Sequence, residues 1–204
     1  MNFELFDNLF QVGVLGMFSL ISGISAIRYK NRCCLILAFA YACFAMGTLY
    51  YAMYLAIIGR VPQVFYVAEI SWLASYLFLL ALQIVRLQSR SLRFSWIAAG
   101  GALCMVIGVC IAQIFGPSLL MIALFALTAG EVTYLTIFHM RSGAGFWQTD
   151  ICILVCLVLQ VALYLVSGAI RDYTEFNAYF AVDMLLTTSM AALMPLVLRE
   201  VSDK

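Results

Sequence analysis

Two carboxylates stand inside long apolar runs of this sequence, Glu69 in "YVAEISWLASYLFLL" and Asp183 in "FAVDMLLTTSM". An acid at the centre of a membrane helix costs about 2.5–3.5 kcal/mol on insertion scales, and less toward the surface, so each needs a partner. Candidates are Arg60 and Arg171 reaching in from the helix ends, tyrosine hydroxyls, a proton, or a ligand bringing positive charge or hydroxyl groups. Ionised, the two acids suit an amine or a cation; protonated, they suit a proton-coupled mechanism.

The neighbours of these acids are patterned. At 3.6 residues per turn, Glu69, Trp72, Tyr76 and Gln83 share an arc of about 60°. Thr149, Cys156, Gln160, Tyr164 and Ser167 align on a later run, and Tyr41, Thr48 and Tyr51 do so on an earlier one with Phe44 between them. The last run adds Asp183, Thr187, Met190 and Met194. Hydrogen-bonding groups face lipid only at a cost, so these stripes should converge inside a bundle.

Taken singly, such residues glue helices together at about 0.6 kcal/mol per bond. The acids point further, to an outward-facing intramembrane pocket. Glu69 and Asp183 line it, Trp72, Tyr76, Tyr51, Tyr54, Gln160 and Tyr164 wall it, and a small molecule or a proton is the partner. Glu131 lies about 20 Å from the outer end of its run. With Thr128 and Tyr134 it is expected to form an inner polar cluster or the lower end of a continuous path.

The elements that hold these residues follow from composition. Of 204 residues, 66% are hydrophobic and 10% charged, with a mean hydropathy of +1.05. A soluble domain is only about half apolar. The expected fold is all-α, a single integral membrane domain of seven transmembrane helices over 9–27, 33–58, 64–85, 94–115, 118–138, 151–169 and 177–198. A spanning helix needs about 20 apolar residues, and the connections are short enough for antiparallel neighbours.

Arg28, Lys30, Arg32, Arg86, Arg90, Arg93, Arg141, Arg199 and Lys204 fall on one side, and only Arg60 and Arg171 on the other. Because basic residues in short loops stay cytoplasmic, the N-terminus is expected outside and the C-terminus inside, in a bacterial inner membrane. The acidic start lacks the basic flank and cleavage pattern of a secretory signal, so the first helix is expected to be retained. Seven cysteines without a Cys-x-x-Cys pair imply no disulfide framework. Gly100, Cys104, Gly108 and Ala112 recur at four-residue spacing and predict a helix-packing seam.

Several functions are disfavoured. A retinal Schiff base needs a lysine in the last helix, and the only lysines are Lys30 and Lys204. One histidine, His139, cannot build a multi-imidazole metal centre; with Arg141 it reads as an interfacial pair near headgroups. No catalytic constellation, cofactor motif or basic block for nucleic acid is present, so neither an enzyme nor a nucleic-acid partner is expected.

The stretch "GTLYYAMYLAIIGRVPQVFYVAEISWLASYLFLLAL" resembles the membrane input regions of bacterial diguanylate-cyclase-type signalling proteins. There a glycine, an aromatic-rich helix, a proline-containing outer loop and an acid followed by "xxWLxxYLFLL" recur. The likeness covers about a fifth of the chain and implies an outward-facing sensor that passes a conformational change inward. No cyclase domain follows "REVSDK", so signalling runs through a partner protein, or the likeness is one of architecture.

"YVAE", ending in Glu69, is echoed by "FAVD", ending in Asp183, and "LYYAMYLAIIGR" by "LYLVSGAIR". This is similar to SWEET and PQ-loop transporters, built from two three-helix repeats and a linker helix. The Pro62–Gln63 pair falls in a loop, which departs from that family.

The leading expectation is a receptor-like sensory module for a small molecule, coupled to a cytoplasmic or membrane protein partner. A small-solute or proton-coupled transporter is the alternative, and a structural subunit of a membrane complex is the third.

Overall fold

The computed structural model describes residues 3–59, 66–87, 94–114, 118–142, 147–170 and 173–202. They form seven α-helices: α1 (Phe3–Tyr29), α2 (Arg32–Ile58), α3 (Tyr66–Leu87), α4 (Trp96–Ala112), α5 (Leu119–Arg141), α6 (Trp147–Ala169) and α7 (Ala178–Ser202). Arg60, Arg90, Arg93, Arg171, Lys204 and the Pro62–Gln63 pair lie outside the described residues.

Six of the helices are long and apolar enough to cross a membrane, and the chain is a multi-pass helical membrane protein. The shorter α4 has 17 residues, a rise of about 25 Å. Leu20, Ile24, Ile27, Ile57 and Leu119 lie exposed on the outer faces, where lipid would solvate them.

Local chemistry sets the helix ends. The Asn31 side chain accepts from the Cys33 amide at 2.8 Å and starts α2 one residue beyond the tight turn at Lys30, whose φ is 48°. Gly59 ends α2 at φ 68°, a left-handed position open to a residue without Cβ, and its amide closes on the Leu55 carbonyl at 2.9 Å. Ser95 and Ser118 cap α4 and α5 by accepting from the Ala98 and Met121 amides.

Five helices run two or more residues further at an end than the apolar runs predict, α3 to Leu87 rather than 85 and α5 to Arg141 rather than 138 among them. α1 begins at Phe3 rather than 9, α6 at Trp147 rather than 151, and α7 continues to Ser202 rather than 198. Treating charged residues as breaks cut the helices short, and it removed Glu4, Asp7, Asp150 and Glu200 from the elements that carry them.

The six long helices form a closed ring in the order α1, α2, α3, α5, α6, α7, each packed against the next, with α7 returning to α1. α2 and α7 also touch, while α4 sits outside the ring against α5 and α6. The predicted α4 seam is rotated. Gly100 and Cys104 are exposed, and close approach to α5 is made by Gly101, which faces Ile137. Gly130 answers from α5: a Cβ there would lie 2.7 Å from Val106 Cγ2. With only two neighbours, α4 turns a single flank inward, and Gly101 lies on it.

Leu15, Leu37, Tyr41, Leu79, Ile153 and Met190 are fully buried in the middle of the ring. This apolar core separates two polar ends.

Candidate functional site

At the end where α1, α3, α5 and α7 begin, a cavity of about 470 Å³ lies between the helices, lined from all seven of them. Glu69, Trp72, Tyr51, Gln160, Tyr164 and Asp183 line it. Tyr76 lies one layer beneath, fully buried, donating from its hydroxyl to Gln160 Oε1 at 2.8 Å. Tyr54 does not reach the cavity and pairs with Tyr50, ring centroids 6.3 Å apart. Three residues past Tyr51, it has turned about 60° further round α2.

A chain of hydrogen bonds runs through one wall. Trp72 Nε1 donates to Thr48 Oγ1 at 3.2 Å, and Thr48 donates to Gln11 Oε1 at 2.6 Å. Gln11 Nε2 in turn donates to Asp183 Oδ1 at 2.8 Å and Thr187 Oγ1 at 2.9 Å. Four helices, α3, α2, α1 and α7, are thereby joined. Gly47 makes the first link possible, because a Cβ there would lie 2.9 Å from Ser71 Cβ and 3.0 Å from both the Ala68 carbonyl oxygen and Trp72 Nε1.

The acids differ in their surroundings. Asp183 accepts from Gln11, and Asp7 stands close behind it. Glu4 Oε1 accepts from the Tyr51 hydroxyl at 2.7 Å. Glu69 is the exception: its Oε2 is buried and has no hydrogen-bond partner among the described residues.

Aromatic rings close the floor, with Phe125 edge-on to Tyr76 at 5.1 Å and to Tyr164 at 5.5 Å. Tyr173, between α6 and α7, also lines the cavity and donates to the Ser167 carbonyl at 3.2 Å. Burial pushes its phenol upward, with the nearby charge of Glu4 adding to the effect, so the hydroxyl keeps its proton.

The inner cluster expected around Glu131 is absent among the described residues. Glu131 is exposed on the outer face of α5, Thr128 turns back to donate to the Leu124 carbonyl at 2.8 Å, and the Tyr134 hydroxyl accepts from the Ser95 amide at 3.3 Å. The three stand at successive intervals of three residues, and that spacing carries Glu131 out to a flank that no other helix covers.

A different polar centre occupies the far end. Arg86 Nη1 donates to Asp150 Oδ1 at 2.6 Å and to Gln83 Oε1 at 2.8 Å, and Arg86 Nε and Nη2 both reach Glu200 Oε2 at 3.0 Å. His139 Nδ1 lies 2.6 Å from Asp150 Oδ2, and Gln83 Nε2 donates to Thr136 Oγ1 at 2.7 Å. All six side chains are buried. His139 thus pairs with Asp150, not with headgroups beside Arg141, which is exposed. Arg86 is likewise no loop charge: the last turn of α3 points it inward. Isolated in lipid these ions would be costly, and they persist because each is paired and hydrogen-bonded.

The sequence reading missed Glu4, Asp7 and Gln11, although their spacing of three and four residues places them on one helical face. It missed the Arg86 centre because Arg86, Asp150 and Glu200 were assigned to loops. Among the described residues no group of three His, Cys, Asp or Glu is placed to hold a metal ion. The chain matches no family model, no curated protein and no solved structure.

Proposed function

We propose that the chain is a receptor-like sensory module. It binds a small molecule in the 470 Å³ cavity, facing outward from a bacterial inner membrane, and transmits the event to the cytoplasmic end. The observation that carries this reading is one cavity lined from all seven helices, with Glu69 in its wall and Glu69 Oε2 without a hydrogen-bond partner among the described residues. Ligand pockets fall in the range of about 300–1,000 Å³, apolar and aromatic with a few placed polar groups.

Transmission has a physical route. α3 carries Glu69 and Trp72 at one end and Gln83 and Arg86 at the other; α6 carries Gln160 and Asp150; α7 carries Asp183 and Glu200. A ligand that shifts any of these three helices must strain or relax the buried ion cluster. The cluster end is the cytoplasmic one in this reading, because Arg28, Lys30, Arg32, Arg141 and Arg199 are exposed there. α4 then makes a seventh crossing.

One observation favours transport instead. The packing of α1 on α2 and α2 on α3 is repeated by α5 on α6 and α6 on α7, and the α3–α5 junction by α7–α1. Two three-helix units with α4 between them could rock around the cavity. Purified protein in proteoliposomes decides between the two readings. Saturable binding, monitored by quenching of Trp72 fluorescence and unaccompanied by flux, supports sensing. Counterflow uptake that disappears in Asp183→Asn overturns sensing in favour of transport.

A further inference from the structure

We infer that the cavity takes a small organic cation, an amine or quaternary ammonium carrying an apolar body. This rests on reading the cavity as the ligand site and adds the chemical class. Glu4, Glu69 and Asp183 line the cavity, with Asp7 directly behind Asp183, and no lysine, arginine or histidine lines it among the described residues. Among the described residues the wall therefore has acidic side chains and no basic one.

The three lining acids are not equivalent. Tyr51 donates to Glu4, and Gln11 donates to Asp183. Of the three, only Glu69 has a buried oxygen, Oε2, without a hydrogen-bond partner among the described residues, which makes it the acid best placed to take a donor from a ligand. A neutral polyol would supply hydroxyls but leave an ionised Glu69 without a counter-charge. An anion would meet three acids and, among the described residues, no basic side chain. A bare metal ion needs converging ligands, and no group of three His, Cys, Asp or Glu is so placed among the described residues.

The rest of the wall specifies the body. Trp72 follows Glu69 by three residues on the same face of α3, and both line the cavity. Tyr164, Phe125 and Tyr173 supply further rings. Carboxylates interleaved with aromatic faces are what ammonium groups bind, by charge-assisted hydrogen bonds and by cation–π attraction. The source is a soluble amine and not a lipid headgroup, because ethanolamine or choline lipids bring a phosphate against the same acids.

The test uses one skeleton in three charge states, with the full chain purified in dodecyl maltoside at pH 7 and binding followed by tryptophan fluorescence and thermal unfolding. Phenethylamine should bind, while 2-phenylethanol and phenylacetate should not. Glu69→Gln should weaken phenethylamine by about tenfold to a hundredfold, the loss of one hydrogen bond to a charged group. The same variant should unfold at an unchanged or higher temperature without ligand, because Glu69 Oε2 has no hydrogen-bond partner to lose among the described residues. Trp72→Phe serves as a second variant, read by thermal unfolding, and should weaken the amine while the fold loses only the hydrogen bond to Thr48.

Equal binding of 2-phenylethanol or phenylacetate, abolished by Trp72→Phe, overturns the cationic class and keeps the cavity as a ligand site. No binding of any of the three overturns both. Displacement of phenethylamine by added phosphatidylethanolamine overturns the soluble source.

Discussion

Arg86 on α3 reaches Asp150 on α6 at 2.6 Å, with side-chain exposures of 1% and 0%, although α5 stands between those helices in the ring. The same guanidinium meets Glu200 on α7 at 3.0 Å. One side chain thus ties three helices across the interior, at the end opposite the cavity.

Replacing Arg86 by methionine leaves two buried carboxylates without that cation, and the expected loss is about 3–5 kcal/mol. Adding Asp150→Asn and Glu200→Gln to Arg86→Met should restore much of it, since the uncompensated charges go while the contacts of residue 150 with His139 and Gln83 can be kept. Unfolding in detergent micelles measures both. If signals pass through this centre, Arg86→Met should also change phenethylamine affinity by about fivefold or more, the lower range of coupling between linked sites. An unchanged affinity disconnects the two ends.

Gly47 carries a second prediction. Any Cβ at this position presses on Ser71, the Ala68 carbonyl and the Trp72 indole nitrogen at 2.9–3.0 Å. Gly47→Ala should cost about 1–3 kcal/mol as α2 and α3 separate, and Gly47→Leu more. Both should release the Trp72 donor from Thr48. A red-shifted tryptophan emission accompanying the stability loss checks the coupling; a stable variant with unaltered emission contradicts the packing described.

Much of this was legible in the sequence, and the illegible part has a physical cause. Apolar runs and helical stripes located the bundle and brought Glu69, Trp72, Gln160, Tyr164 and Asp183 to one cavity, because polar residues inside lipid must face inward. The ion cluster was hidden because the rule that charge ends a helix fails where charges are neutralised by partners on other helices. Asp150 and Glu200 look terminal until Arg86 is placed between them, and nothing local to any of the three reveals the others. The place of α4 outside the ring was equally hidden, since hydropathy reports burial in lipid or protein without distinguishing them.

Gln11 holds Asp183, Thr187 and Thr48 at 2.6–2.9 Å. Gln11→Leu removes a donor from the first two and an acceptor from the third, all buried, and each orphaned group costs about 1–3 kcal/mol. Asp183 should then move, so phenethylamine binding should fall together with stability. Gln11→Glu keeps the acceptor for Thr48 but sets a third carboxyl beside Asp7 and Asp183, and should be worse than leucine near neutral pH and improve as the solution is acidified. Thermal unfolding of the two variants across pH checks the order.

Glu131 provides the last prediction, and it separates a self-sufficient module from a subunit. It stands near the middle of α5 on an exposed flank with Leu124 and Leu127. A carboxylate facing hydrocarbon at that depth costs about 2.5–3.5 kcal/mol. If lipid covers this flank, Glu131→Leu removes that cost, raises the unfolding temperature and leaves phenethylamine affinity unchanged. If a second protein covers it with a donor of its own, the same substitution breaks a contact between chains. Size-exclusion chromatography of protein extracted from its native membrane reads the difference. An unaltered elution volume with higher stability assigns the flank to lipid, and a shift to smaller size assigns it to a partner.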